Sequence, residues 1–252
     1  MLAIERRKVI LSKLASEGKI IVSDLSREFD VTEETIRRDI DKLAREGLAT
    51  KTYGGAISVT SPSIDIPYNI RKRANVDLKQ KIADNVAGMI NDGARIMLDA
   101  SSTAIYVTRK IKDKKNITVI TNSVEILLEL ADIRGWTVLS TGGTIKEGAF
   151  SMVGSQAEKM VRGYHVDMAI CSAKGIDATM GITDSNEKDS EMKQAIFSAA
   201  DHRILAIDST KFDKKSFVKV CDIADVDTIV TDSAPSEQWL ARLEEFGVGI
   251  VY

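Results

Sequence analysis

The 252-residue chain has only two cysteines, Cys171 and Cys221, and neither stands in a CxxC pair. Both lie in apolar, strand-like segments, so reduced and buried thiols are expected rather than a disulfide or metal ligands. The two histidines, His165 and His202, are isolated, each just ahead of an apolar run, whereas a zinc site needs more ligands at shorter spacing. Neither a metal nor another cofactor is expected. No apolar run approaches the roughly eighteen residues that span a bilayer, and the first residues carry charge where a signal peptide needs an apolar segment. A cytoplasmic protein without membrane contact is therefore expected. A large charge of one sign is missing too, with a formal net charge of -2 and a pI near 5.9. That excludes coating nucleic acid by bulk charge, but a specific binder needs only a local basic cluster.

What is present is organised around residues 22–47. Leu25 and Phe29 are four apart, as are Ile36 and Ile40, with Leu43 three further on, which predicts two short amphipathic helices meeting at a tight turn. Ser23 and Thr32 are positioned to cap them. With Ile36, Ile40 and Leu43 inward, the second helix presents Thr32, Glu33, Thr35, Arg37 and Arg38, hydroxyls and guanidiniums that reach base edges and phosphates in a major groove. Paired amphipathic helices are common, so the following residues matter. Residues 48–59 read as a hairpin carrying Lys51 and Tyr53, with Gly54 and Gly55 supplying the positive φ of a tight turn. This is a wing. Residues 4–15 form a helix behind the pair, and Ile20, Ile21 and Val22 a short extended link.

Glu5-Arg6-Arg7, Arg37-Arg38-Asp39 and Gly54-Gly55-Ala56 together resemble the DeoR family of bacterial transcriptional regulators. Tyr53 stands where that family's wing usually has a histidine. A helix-turn-helix regulator works as a dimer on paired half-sites, so a double-stranded DNA operator and a homo-oligomer, dimer or tetramer, are expected.

Residues 1–57 are read as the winged DNA-binding domain, 58–74 as a linker punctuated by Ser61, Pro62, Ser63 and Pro67, and 75–252 as a second domain. Arg71, Asn75 and Lys79 lie at spacing four, on one face of a helix. With Pro67 and Tyr68 they match the family pattern. They are either a relay between domains or surface charges on a connecting helix.

Beyond Gly93, strands (94–98, 117–121, 137–139, 166–173, 203–207, 218–220, 228–231, 249–251) alternate with helices (103–111, 124–131, 156–162, 191–200, 237–246). This α/β alternation specifies a mostly parallel sheet covered on both faces, with ligands at the carboxyl ends of its strands. The loops there are rich in hydroxyls and glycines: Asp99 with Ser101, Ser102 and Thr103, then Thr121-Asn122-Ser123, then Gly142-Gly143. Such turns at helix starts cradle anions. Lys174, Asp177 and Glu187 follow a later strand, with Glu191 further along, and Lys211 follows another. Amides and Lys211 suit a phosphate, and Asp99, Asp177 and Glu187 suit hydroxyls, so a phosphorylated sugar or polyol fits.

The resemblance implies a sensor domain similar to the fold of ribose-5-phosphate isomerase and glucosamine-phosphate deaminase. Its phosphate-loop pattern is matched by Asp99, Ser102 and Thr103, with Ser101 where glycine is usual. The expected function is a DNA-binding regulator, a repressor of a carbohydrate-utilisation operon, whose operator affinity follows a bound sugar phosphate. The alternative is an isomerase or deaminase-like enzyme fused to a DNA-binding module, with Asp177 or Glu187 as base. A DNA-bending architectural protein is a third reading, but it needs no such pocket.

Overall fold

A computed structural model describes residues 2–46, 48–58 and 68–252. The chain forms two compact units, Met1–Arg71 and Lys72–Tyr252.

The first unit runs α1 (Ala3–Glu17), β1 (Lys19–Ile21), α2 (Val22–Phe29), α3 (Glu33–Arg45), β2 (Ala49–Thr52) and β3 (Gly55–Ser58). Gly18 ends α1 in the left-handed region, its amide donating to the Leu14 carbonyl. Ile10, Leu14, Leu25, Ile36, Ile40 and Leu43 are buried together, each contributing about 1.5–3 kcal/mol. Asp39 is buried with them, 4% exposed. It accepts from Arg6 Nε at 2.5 Å and Arg7 Nη1 at 3.2 Å, so the α1 arginines clamp α3.

Three local expectations change. Ser23 lies inside α2, whose N-cap is Ile21 with no side-chain bond, because β1 carries the backbone straight into the helix. The link at Ile20 and Ile21 is a true strand: β1 pairs with β3 in a sheet of order β1-β3-β2. Neither Gly54 nor Gly55 has a positive φ. A Cβ on Gly55 would lie 1.9 Å from the Ile20 carbonyl oxygen, so this glycine is required by the close approach of β1 and not by the turn.

In the next stretch, α4 (Tyr68–Arg73) and α5 (Val76–Met89) are separate helices. Asn75, at φ 51, breaks them apart, so Arg71 does not share one helical face with Asn75 and Lys79. The tail of the expected 58–74 linker is thus helical, while its residues 59–67, with Ser61, Pro62, Ser63 and Pro67, lie outside the described residues.

There follow β4 (Arg95–Leu98), α6 (Ala104–Lys110), β5 (Thr118–Thr121), α7 (Val124–Glu129), β6 (Thr137–Ser140), β7 (Thr144–Lys146), β8 (Ser151–Val153), α8 (Ser155–Arg162) and β9 (Val166–Cys171). The chain continues through β10 (Gly175–Asp177), β11 (Gly181–Asp184), α9 (Glu187–Ser198), β12 (Ala200–Ala206), β13 (Val218–Cys221), β14 (Thr228–Val230), α10 (Glu237–Glu245) and β15 (Gly249–Val251). Seven strands form one parallel sheet of order β15-β14-β12-β9-β4-β5-β6.

Alternate strand residues feed two cores. Met97, Ile120, Ala169, Leu205 and Ile229 pack with α8, α9 and α10, whereas Ile96, Leu98, Val119, Ile170, Ile204 and Val230 pack with α5, α6 and α7. Both faces are therefore covered, as a parallel sheet requires. Strand β13 is not in this sheet. It joins β10 and β11 in an antiparallel set, and β7–β8 is a further hairpin; both hairpins were missed because β7, β10 and β11 hold a single apolar residue each and form no apolar run.

Cys171 and Cys221 are free thiols, the first buried. Among the described residues no helix is long and apolar enough to cross a membrane.

The wing glycines separate two effects. Gly55→Ala should destabilise the first unit by about 1–3 kcal/mol, the usual cost of forcing atoms into a packed site. Gly54→Ala, with nothing within 4 Å of its Cβ, should stay within about 0.5 kcal/mol of the native protein. Chemical denaturation of both variants checks this.

Candidate functional site

The sheet reverses its order between β4 and β9, and the carboxyl ends of strands at such a point form a crevice. Asp99 closes β4 there. One carboxylate oxygen accepts from the Ser101 amide at 3.0 Å and the other from the Ser172 amide, just past β9, also at 3.0 Å. Asp99 is 2% exposed, and it holds the two strand ends in register.

Lys193, from α9, lies 3.6 Å from Asp99 and 2.7 Å from Asp184 at the end of β11. Burial would raise the Asp184 carboxyl, but the charges of Lys193 and Lys174 and the bonds from Lys193 and the Ser185 amide hold it below the usual range. Burial would likewise lower the Lys193 ammonium, but Asp184, Asp99 and Asp189 drive it upward, so it stays charged.

The neighbouring ends are tied to this group. Thr121 Oγ1 donates to the Leu98 carbonyl and accepts from the Ser123 amide. Ser123 caps α7 through the Ile126 amide, and Ser101 accepts from the Ala104 amide. Asn122 and Met152 join β5 to the β7–β8 hairpin by two bonds, Asn122 Nδ2 to the Met152 carbonyl at 3.0 Å and the Met152 amide to the Asn122 carbonyl at 2.8 Å. From the hairpin, Lys146 reaches Asp189 of α9 at 2.7 Å, where Asn186 also bonds. Asp99, β5, the hairpin, α9 and Lys193 thus form a closed ring of contacts.

Some groups in this ring remain unengaged. The hydroxyls of Ser102 and Thr103 have no partner among the described residues. Asn122 Oδ1 and Ser151 Oγ are buried with no partner, a state that costs about 1–3 kcal/mol unless something else satisfies it.

Other expected residues are placed differently. Gly142 and Gly143 have φ of 63 and 101, but the Gly142 amide donates to Ser140 Oγ, and a Cβ on Gly143 would lie 2.9 Å from Ala157 Cβ. The Val153 carbonyl oxygen of β8, at 2.8 Å, is nearer still, so β8, α8 and the left-handed φ together account for that second glycine. Asp177 sits at the tip of the β10–β11 hairpin, away from Lys174. Its Oδ1 accepts from the Thr179 hydroxyl and from the Thr179 and Met180 amides, which lower its pKa to about 2. It therefore staples a turn. Glu187 and Glu191 are exposed on α9, and no bond joins Glu187 to the ring. Lys211, in the 3-10 turn after β12, has an ammonium without a partner among the described residues.

Asp184, Lys193, Lys146 and Asp189 were not anticipated. Placing the start of α9 at 191 instead of 187 concealed that Asp184 ends a strand, and Gly181, in the left-handed region at φ 82, was the turn signal that could have exposed the hairpin.

On the first unit, Thr32 caps α3 through the Thr35 amide. Arg37 pairs with Glu33 at 3.0 Å and Arg38 with Glu34 at 3.2 Å, all four exposed or half-buried along α3. Lys51 bonds Asp41 at 2.6 Å, which ties the wing to that helix. Tyr53 is fully exposed at the wing tip beside Gly54. Ser23, inside α2, is half-buried, with its carbonyl accepting from Arg27.

Residues 6–62 match the model of the DeoR-like helix-turn-helix domain, and residues 74–233 that of the DeoR C-terminal sensor domain. The chain belongs to the DeoR family. This DeoR-family chain is 37% identical to an uncharacterized HTH-type transcriptional regulator, YulB of Bacillus subtilis, over 97% of its own length and 95% of that protein's. It is 36% identical to the transcriptional repressor AccR of Agrobacterium fabrum, covering 91% and 89% of the two chains. With the L-fucose operon activator of Haemophilus influenzae it shares 33% identity over 90% and 91%. These are transcriptional regulators, so the DeoR-family protein is a regulator with a sensor domain and not an enzyme.

One outcome tests the ring and another the Asp177 turn. Lys193→Met leaves two buried carboxylates facing each other and should cost about 3–5 kcal/mol in chemical denaturation. The depressed Asp177 carboxyl contributes stability that is complete above the ordinary carboxylate range and is lost as pH falls from about 4 toward 2. In Asp177→Asn, which can keep the turn, this part of the acid limb should flatten in melts recorded across that window.

Proposed function

We propose that this protein is a repressor of a carbohydrate-utilisation operon and that a phosphorylated sugar or polyol, bound at the carboxyl ends of the sheet strands, controls its grip on the operator. In this reading residues 1–57 are the DNA-binding head, 58–74 connect, and 75–252 sense. The protein acts in the cytoplasm as a homo-oligomer on paired half-sites. Repression follows the name of AccR, and the L-fucose operon activator supports a sugar signal.

One observation carries the effector reading. At the point where the sheet reverses, Ser102 and Thr103 keep unengaged hydroxyls and Asn122 an unengaged carbonyl on the adjoining strand end. Hydroxyls and amides there suit a phosphate, and an unsatisfied carbonyl suits a sugar hydroxyl. Lys211 supplies a free cation. Asp99, Ser101, Thr121 and Ser123 act by shaping the turns, and Gly142, Gly143 and Lys174 border them. Asp177 is taken up by its own turn, and Glu187 is exposed at the start of α9.

DNA contact falls to the outer face of α3 and the wing: Thr32, Glu33, Thr35, Arg37 and Arg38, with Lys51, Tyr53, Gly54 and Gly55. Ser23 belongs to this set at its margin, through the start of α2. A ligand that binds one conformation better than the other shifts the population and so the operator affinity.

Replacing Arg37 or Arg38 by Ala should weaken operator binding by about 1–3 kcal/mol if that arginine reads a base. Unchanged affinity in a gel-shift titration would move the recognition surface elsewhere. Thr103→Val and Lys211→Ala should keep DNA binding and lose the response to ligand. A thermal-shift screen of phosphorylated sugars and polyols should find a stabilising compound, and a screen in which none stabilises would remove the effector reading.

A further inference from the structure

We propose that Lys72 is the coupling residue of this protein: the first turns of α6 and α7, the two helices that open from the strand-end crevice, both hold it, so that occupancy of the crevice is passed to α4, the helix through which the chain runs back to the DNA-binding head. The inference rests on the strand-end turns being a phosphoester site. Its contacts lie outside the residues assigned above to ligand or DNA.

Helix α6 follows directly on Thr103, whose carbonyl accepts from the Tyr106 amide at 3.0 Å. The hydroxyl of the same tyrosine donates to the Lys72 carbonyl at 3.0 Å. Helix α7 follows directly on Asn122 and Ser123, and Glu125, in its first turn, accepts from the Lys72 ammonium. The side chains of that pair are 28% and 18% exposed, which removes much of the screening that makes surface ion pairs weak. Lys72 is thus held by its backbone from one strand end and by its side chain from the next. The two helices are also tied to each other, because Glu129 of α7 accepts from Arg109 of α6 and from Lys112 just past it.

Helix α4 depends on these contacts. It has six residues, well below the roughly twelve at which an isolated helix is even marginal in water, and the last carbonyls of a helix have no partner within it. Tyr106 satisfies that of Lys72, and Lys79 of α5 bonds that of Ala74, just past the end. The order of residues 68–73 is therefore supplied from outside, and such a segment is one that a ligand can order or release. Its place in the chain gives this a consequence, since the first compact unit ends at Arg71 and the second begins at Lys72. A phosphate that fixes the Thr103 and Asn122 turns fixes the first turns of α6 and α7, holds Lys72 through both, and so favours the ordered form of α4.

Hydrogen exchange of the full-length protein, read by mass spectrometry, tests this with inorganic phosphate against chloride at the same ionic strength. In the native protein phosphate should slow exchange at the crevice, in residues 101–106 and 122–127, and also in residues 68–73, there by about fivefold or more, the low end of ordinary coupling between sites. Tyr106→Phe combined with Glu125→Gln should keep the slowing at the crevice and reduce that in residues 68–73 to less than about twofold. A merely structural role would change exchange equally in both salts and leave the response to phosphate in place. Lys72→Met should weaken the response of residues 68–73, and Lys72→Arg, which keeps the ion pair, should retain it. Slowing at the crevice with none in residues 68–73 of the native protein overturns the relay, as does slowing there that survives the double substitution. If the double variant does not fold, the native protein and Lys72→Met decide by the same criterion. No slowing at the crevice itself would instead overturn the phosphoester reading, and the relay with it.

Discussion

The sensor domain depends on one carboxylate. Where the order of the sheet reverses, β4 and β9 run side by side but lead in different directions, and backbone amides just past their ends would be left without acceptors. Asp99 accepts one from each side, the Ser101 amide and the Ser172 amide. Its burial is tolerable because Lys193 stands nearby, and Lys193 in turn is held by Asp184. A buried charge needs partners of this kind, so the identity of the one residue just past β4 dictates what α9 and β11 must bring to the same place.

The same economy governs the rest of the strand ends. Most polar groups there serve the protein's own turns: Thr121 and Ser123 shape the start of α7, Ser101 the start of α6, and Ser140 the turn at Gly142. The first amide of α7 donates to the Phe150 carbonyl of the adjoining hairpin loop, so that helix start is already covered. What is left over is a short list of unsatisfied atoms, and a sensor reads its ligand through atoms left over rather than through every hydroxyl that lines a loop.

The architecture was legible because its signals are periodic. Helical spacing at Leu25, Phe29, Ile36 and Ile40 located α2 and α3, and the apolar runs ending at Leu98, Thr121 and Ala173 located β4, β5 and β9, the last ending two residues earlier at Cys171. The hairpins were not legible: Thr144-Ile145-Lys146, Gly175-Ile176-Asp177 and Gly181-Ile182-Thr183-Asp184 hold one apolar residue each, so no apolar run marks them. The site was legible where chemistry follows directly after a strand, at Asp99 to Thr103 and Thr121 to Ser123. It was not legible at Lys193, nearly one hundred residues downstream on a helix face, because nothing local in the sequence says that an amphipathic helix turns one lysine inward toward two buried acids. Gly55 was expected for a positive φ that it does not have, and Gly143 for the approach of an anion, whereas both are hemmed in by the protein's own backbone. In both cases the backbone that demands glycine belongs to another strand, β1 at Ile20 or β8 at Val153, which spacing alone does not reveal.

Helix α3 carries its own counterions. Glu33 and Glu34, one turn before Arg37 and Arg38, neutralise them while the head is free, so a stretch of duplex offering nothing but phosphates must compete with carboxylates already in place. Fewer ions are then displaced from random sequence than the count of arginines implies. In the proposed reading, such a head is held weakly by phosphates alone and lingers only where base edges add contacts.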